Sequence, residues 1–109
     1  MNLNFASDNT GPVAPKIMNA MIAANTGAAM PYGNDPSMDP VTQAVRDAFG
    51  MPEATTLLVT VGTAANALAL ATLVQPYETV FCHRISHIEL DECGAPEFYS
   101  GGAKLTLVD

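Results

Sequence analysis

The sequence predicts an α/β fold built on a mostly parallel sheet, and three observations carry that reading. First, Leu57 to Leu73 passes from a short apolar, partly β-branched run, through a Gly62-Thr63 break, into a stretch rich in alanine and leucine. That is the pattern of a buried strand, a sharp turn and a helix. Second, another short apolar run, Thr79-Val80-Phe81-Cys82, follows the Pro76-Tyr77-Glu78 turn. Strand, helix and strand at this spacing suit a right-handed βαβ unit. Third, 49% of the 109 residues are apolar and only 14% charged, against about 25% charged in an average globular domain. So little polar surface cannot comfortably coat a small globule, and a large apolar face is expected to meet something else.

The elements follow in order. Asn4 to Thr10 is polar with one anchoring Phe5, extended or loop, and Gly11-Pro12 punctuates it. Pro15 opens a helix, where a first-turn proline is favoured. Ile17, Met18, Met21 and Ile22 recur at helical spacing, and Gly27 is the expected C-cap. Ala28 to Met38 has two prolines, one glycine and no period, which predicts a long loop of the kind that is usually functional. Asp39 is the expected cap of the next helix, with Pro40 at its first position. Val41, Ala44, Val45, Ala48 and Phe49 form its apolar stripe, closed by Gly50 and Pro52.

The central strand, Leu57 to Val61, then leads to a helix from Ala64 to about Val74. That helix is apolar on all sides, which predicts burial on more than one. His83 to Ser86 reads as a loop, and Ile88 to Cys93 as one or two helical turns. Gly94, Pro96, Gly101 and Gly102 keep the next stretch irregular, and Lys104 to Val108 is a third strand. Parallel strands need helices on both faces, yet only Asp109 follows the third strand. The expectation is that residues 1–109 are the N-terminal portion of one incomplete domain.

Charge and composition exclude several functions. The net charge is −7, and the cations are four scattered residues, Lys16, Arg46, Arg84 and Lys104. Nucleic-acid binding needs clustered Lys and Arg, and so does an acidic membrane surface. Neither partner is expected. No run is apolar over a membrane's thickness. Met1 to Asn4 lacks the plan of a signal peptide, so Cys82 and Cys93 are expected as reduced thiols in the cytoplasm.

In open α/β sheets ligands sit beyond the carboxyl ends of the strands, here Gly62-Thr63, His83 to His87 and Asp109. Gly62 allows close approach, and Thr63 adds a hydroxyl to the free N–H groups of a helix start, which together suit a phosphate. The bland alternative is a tight turn with Thr63 as N-cap. No G-x-G-x-x-G or Gly-Lys-Ser/Thr motif is present, which argues against dinucleotide and nucleoside-triphosphate sites. His83 and His87 lie four apart, beside Cys82, Asp91, Glu92 and Cys93. A metal is one reading of them, although no recognised ligand spacing is present. An ordinary hydrogen-bonded histidine is the other for His83, and a ring lying flat on an aromatic ligand the other for His87. Ser7, Asp8 and Asn9 are either a solvated loop or donors to a carboxylate. Tyr32 to Asp35 is either a plain turn or a lid or subunit-contact loop. Glu92 and Glu97 are acid–base candidates, with solvated carboxylates as the alternative.

Four blocks in order, F-x-S-D-N at Phe5 to Asn9, Y-G-N-D at Tyr32 to Asp35, G-T-A-A-N-A-L-A-L at Gly62 to Leu70 and S-H-I-E-L-D-E-C-G-A-P-E-F at Ser86 to Phe98, span nearly the whole chain. Together they resemble the N-terminal part of the low-specificity threonine aldolases, in the β-eliminating lyase/threonine aldolase family. The resemblance implies a partial three-layer α/β/α large domain of the pyridoxal-phosphate-dependent, aspartate-aminotransferase type. It implies retro-aldol cleavage of threonine or allo-threonine to glycine and acetaldehyde, in a homodimer or homotetramer. By the same resemblance Gly62 and Thr63 hold the cofactor phosphate, and His87 stacks on the pyridine ring and assists proton transfer at the substrate hydroxyl. Ser7 helps bind the substrate carboxylate, Tyr32 reaches a site shared with a neighbouring subunit, and Glu92 matches an acidic position near the site. The family's Schiff-base lysine, its pyridine-pairing aspartate and its carboxylate-binding arginine fall further along the chain. Neither Lys16 nor Lys104 matches the lysine, so the fragment alone is expected to be inactive. Two other classes stand beside this reading. One is a truncated non-catalytic remnant or subunit-interaction module. The other is a small metal-binding α/β domain using Cys82, His83, His87 and Cys93.

Overall fold

The computed structural model describes residues 10–109. Among them are five helices and two strands: α1 (Pro15–Ala24), α2 (Met38–Phe49), α3 (Gly62–Leu73), β1 (Thr79–His83), α4 (His87–Leu90), α5 (Ala95–Tyr99) and β2 (Lys104–Val108). The chain divides between Ala54 and Thr55 into two compact units.

In the first unit α1 starts at Pro15, as the proline predicts, and its C-cap is Asn25, two residues before the expected Gly27. Helix α2 starts two residues earlier than expected, at Met38 instead of Pro40. Ser37 is its N-cap, and the Ser37 N–H donates to Asp35 Oδ1 at 2.9 Å. Asp39 lies in its first turn and Arg46 in its last, each at the end of the helix dipole that favours its charge. Gly50 ends α2 in the left-handed conformation, at φ 63°. Arg46 Nε donates to the Ala54 carbonyl at 2.9 Å, tying the outgoing chain to the last turn of α2.

The second unit is organised by a parallel pair. β1 and β2 run in register from Thr79 opposite Lys104 to His83 opposite Val108. The Thr79 hydroxyl donates to the Lys104 carbonyl at 2.8 Å and meets the Thr106 hydroxyl at 2.5 Å, a cross-strand Thr pair of the kind that supports a sheet. The crossover from β1 to β2 carries α4 and α5, and α3 packs on α5. Ala67, in the middle of α3, is fully buried, with Pro96, Cys82 and Ala103 also in the core.

Three expectations fail here, the first being the irregular stretch after Cys93, where Ala95–Tyr99 forms α5 with Pro96 in its first turn. Leu57 to Val61 forms no strand: it is exposed and has no partner in the described sheet. A strand exists only through a ladder with a neighbour, so apolar β-branched character alone does not make one. Helix α3 starts at Gly62, not Ala64, and it buries only Ala67, while Leu68 and Leu73 stay exposed. Two strands and one short helix offer it a partner on one side only. The apolar surface anticipated from composition is therefore open, at Leu57, Leu58, Leu73 and Phe81 among others.

Candidate functional site

The carboxyl ends of β1 and β2 lie side by side, because the strands are parallel. Arg84 follows β1 directly. Its N–H donates to the Val108 carbonyl at 3.2 Å and its guanidinium pairs with Asp109. Lys104 lies at the opposite end, at the start of β2, as expected.

After β1 the chain turns tightly. The Ser86 N–H donates to the His83 carbonyl at 2.8 Å, and the Ile85 N–H to His83 Nδ1 at 3.2 Å. His83 is thus the ordinary hydrogen-bonded histidine of the two readings. Ser86 is the N-cap of α4, and its carbonyl accepts from Glu89 and Leu90. His87 is the first residue of α4, with a side chain 64% exposed.

Glu92 overturns the expectation of a solvated carboxylate. Its side chain is 0% exposed. Its Oε1 lies 2.9 Å from His87 Nδ1 and accepts from Asn66 Nδ2 at 2.6 Å. Its Oε2 is buried without a hydrogen-bond partner among the described residues. A carboxylate is expensive to remove from water unless it is hydrogen-bonded, so two donors on one oxygen are what hold it there.

Asn66 lies one turn beyond Gly62 on α3. Nothing in the residue pattern assigned it a role. The available signal was a lone amide of modest helix propensity inside an Ala/Leu run. Through Asn66 and Glu92, α3 and His87 join in one hydrogen-bonded chain.

The start of α3 carries no side-chain cap, and its N-cap is Val61, so Thr63 lies within the helix and is not its cap. First-turn N–H groups, here at Gly62, Thr63 and Ala64, have no intrahelical acceptor. A Cβ added at Gly62 would meet nothing within 4 Å, so the space beside that backbone is open. This start is therefore able to receive an anion.

Tyr32 belongs to the first unit, at φ 61° and 97% exposed, in a turn with Gly33 at φ 75°. The Asn34 side-chain amide donates to the Pro31 carbonyl across that turn at 3.2 Å. Ser7 lies outside the described residues. Cys82 is buried and Cys93 exposed, both as free thiols. Among the described residues no group of three or more His, Cys, Asp or Glu stands close enough to hold a metal, and no helix is long and apolar enough to cross a membrane.

Residues 4–109 match the family of β-eliminating lyases. The chain belongs to that family. This β-eliminating lyase chain is 44% identical over 103 residues to a low specificity L-threonine aldolase of Pseudomonas aeruginosa. It is 43% identical over 101 residues to the enzyme of the same name from a Pseudomonas species. These alignments take in 94% and 93% of the chain but only 30% and 29% of the relatives. The chain thus spans about a third of the length of the curated relatives it matches. Among solved structures, the threonine aldolase of Leishmania major superposes with a TM-score of 0.77 at 26% identity, over 87% of this chain and 27% of that one. The fold is accordingly the α/β fold of that enzyme, of which this chain shows a small parallel sheet with its helices.

Proposed function

We propose that the chain is the N-terminal part of a pyridoxal-phosphate-dependent lyase that cleaves threonine or allo-threonine to glycine and acetaldehyde. The observation that carries the proposal is the uncapped, open start of α3, joined through Asn66 and Glu92 to the exposed ring of His87. The similarity to threonine aldolases along nearly the whole chain supports the substrate class.

The residues fit the cofactor's chemistry. Gly62 and Thr63 would hold the phosphate, with backbone N–H groups, the Thr63 hydroxyl and the positive end of the helix dipole. His87, two-thirds exposed at the mouth of α4, would lie against the pyridine ring and accept the proton of the substrate β-hydroxyl. When bound, the cofactor supplies an electron sink for the carbanion left by Cα–Cβ cleavage. Ser7 would bind the substrate carboxylate, and Tyr32 would reach the site of a neighbouring subunit in a homodimer or homotetramer. Residues 1–109 would belong to one cofactor-binding domain, whose activity would need the lysine that anchors the cofactor. The two free thiols support a cytoplasmic setting. No described cluster of metal-ligating side chains supports the metal-binding alternative.

The test expresses these residues within their complete reading frame. Absorbance from the lysine-bound cofactor and release of glycine from threonine are expected. A complete protein that binds no pyridoxal phosphate would sink the proposal.

A further inference from the structure

We infer that Glu92 is a positioning residue that holds the His87 ring as its Nδ1–H tautomer and leaves Nε2 as the open acceptor. The inference rests on the role proposed for His87 and goes one step beyond it, to the group that sets that histidine's orientation.

A carboxylate can only accept hydrogen bonds. Glu92 Oε1 already accepts from the Asn66 amide at 2.6 Å, which places the amide nitrogen toward it. The ring nitrogen 2.9 Å away must therefore be the one that carries hydrogen, and that nitrogen is Nδ1. The partner of one ring nitrogen decides what the other can do. Nε2 has no partner among the described residues, and in a neutral ring it is then the basic nitrogen.

Burial makes the arrangement rigid. The carboxylate is 0% exposed, so water does not compete for Oε1. Asn66 fixes Glu92 to α3, one turn from Gly62. One buried oxygen thus sets the histidine in relation to the helix whose start would hold the phosphate.

His83 provides an internal contrast. Its Nδ1 accepts the Ile85 N–H at 3.2 Å, so its hydrogen must lie on Nε2. The chain has two histidines, and the structure places them in opposite neutral tautomers.

Histidine-selective 15N labelling with long-range 15N–1H correlation reads both tautomers in one spectrum, recorded with the rings neutral. The wild-type chain is expected to show Nδ1–H at His87 and Nε2–H at His83. Glu92→Gln keeps an oxygen that can accept from both partners and should preserve the His87 signature. Glu92→Ala should abolish it while leaving His83 unchanged. An Nε2–H ring at His87 in the wild type overturns the inference, and so does an unchanged His87 pattern in Glu92→Ala. If Glu92→Ala does not fold, the wild-type and Glu92→Gln spectra still decide. The two readings fail separately. Absence of cofactor binding removes the proposed function, whereas the tautomer assignment is decided without cofactor.

Discussion

Replacing Gly62 by alanine in the complete protein separates the cofactor role proposed for the α3 start from its structural one. Gly62 is the first residue of α3, its φ is not in the left-handed region, and an added Cβ would meet nothing within 4 Å. The folded protein therefore loses nothing. The unfolded chain loses freedom, and such a change typically stabilises by about 0.4–1 kcal/mol. Ligand binding should move the other way. The methyl group occupies the open space where a phosphate oxygen would approach the backbone, and one hydrogen bond to a charged group is worth about 1.5–3 kcal/mol. At about 1.4 kcal/mol per factor of ten, the loss is roughly ten- to a hundredfold in Kd. The assay measures Kd for pyridoxal phosphate and for phosphate-free pyridoxal, together with the denaturation midpoint. The expected variant is as stable as wild type or more so, weaker for pyridoxal phosphate and unchanged for pyridoxal. If pyridoxal phosphate binds Gly62→Ala as tightly as wild type, close approach at Gly62 is not used and the phosphate assignment fails.

Three further outcomes follow from the same geometry. In the complete protein, His87→Phe retains an aromatic face but no proton acceptor, so cofactor should stay bound while threonine cleavage falls by roughly 10²–10⁴-fold, the usual range for losing a general base; unchanged turnover would leave only a stacking role. Gly101→Ala puts a side chain at φ 75°, 3.1 Å from Cγ of Pro76, and should destabilise by about 2 kcal/mol, since left-handed backbone alone costs roughly 1–2 kcal/mol; a denaturant midpoint equal to wild type would contradict it. Asn66→Ala removes one donor from the buried Glu92 carboxylate and should cost about 1–2 kcal/mol, the lost charged hydrogen bond being partly offset by alanine's helix propensity; calorimetry or denaturant unfolding reads the difference.

The elements that were legible are those whose cause is local. Pro15 starts α1 because the first turn needs no N–H from it. Gly50 ends α2 because glycine adopts the left-handed cap without the penalty a Cβ brings. β1 and β2 follow from short apolar runs that have each other as partners. Leu57 to Val61 is a similar short apolar run with no such partner among the described residues. A strand is a property of two segments, and one sequence segment shows only half of it. The same reasoning explains the exposed sides of α3: an apolar helix asks for neighbours on several faces, and its sequence cannot supply them.

The site divides in the same way. Gly62, Thr63 and His87 stood out because the residue type itself states a capacity: close approach, a hydroxyl, a titratable aromatic ring. Asn66 did not, and Glu92 was legible only as an acid–base candidate with a solvated alternative, because what these two do depends on each other. Glu92 beside Asp91 and Glu89 looks like one more solvated acid, and its neighbour Cys93 is exposed. Only the packing of α3 on α5, with Ala67 of α3 fully buried, places the Asn66 amide where it can reach a carboxylate 26 positions later. Small residues on α3 make that approach possible. The alanine-rich character that predicts the helix is thus also what admits a buried acid next to the histidine. If bulk at position 67 were increased by Ala67→Leu, α3 would be pushed from α5. The Asn66–Glu92 bond would then break before the helix itself was lost. The His87 tautomer would report that loss while helical circular dichroism stayed near wild type, and a spectrum unchanged at His87 would show that the clamp does not depend on this packing.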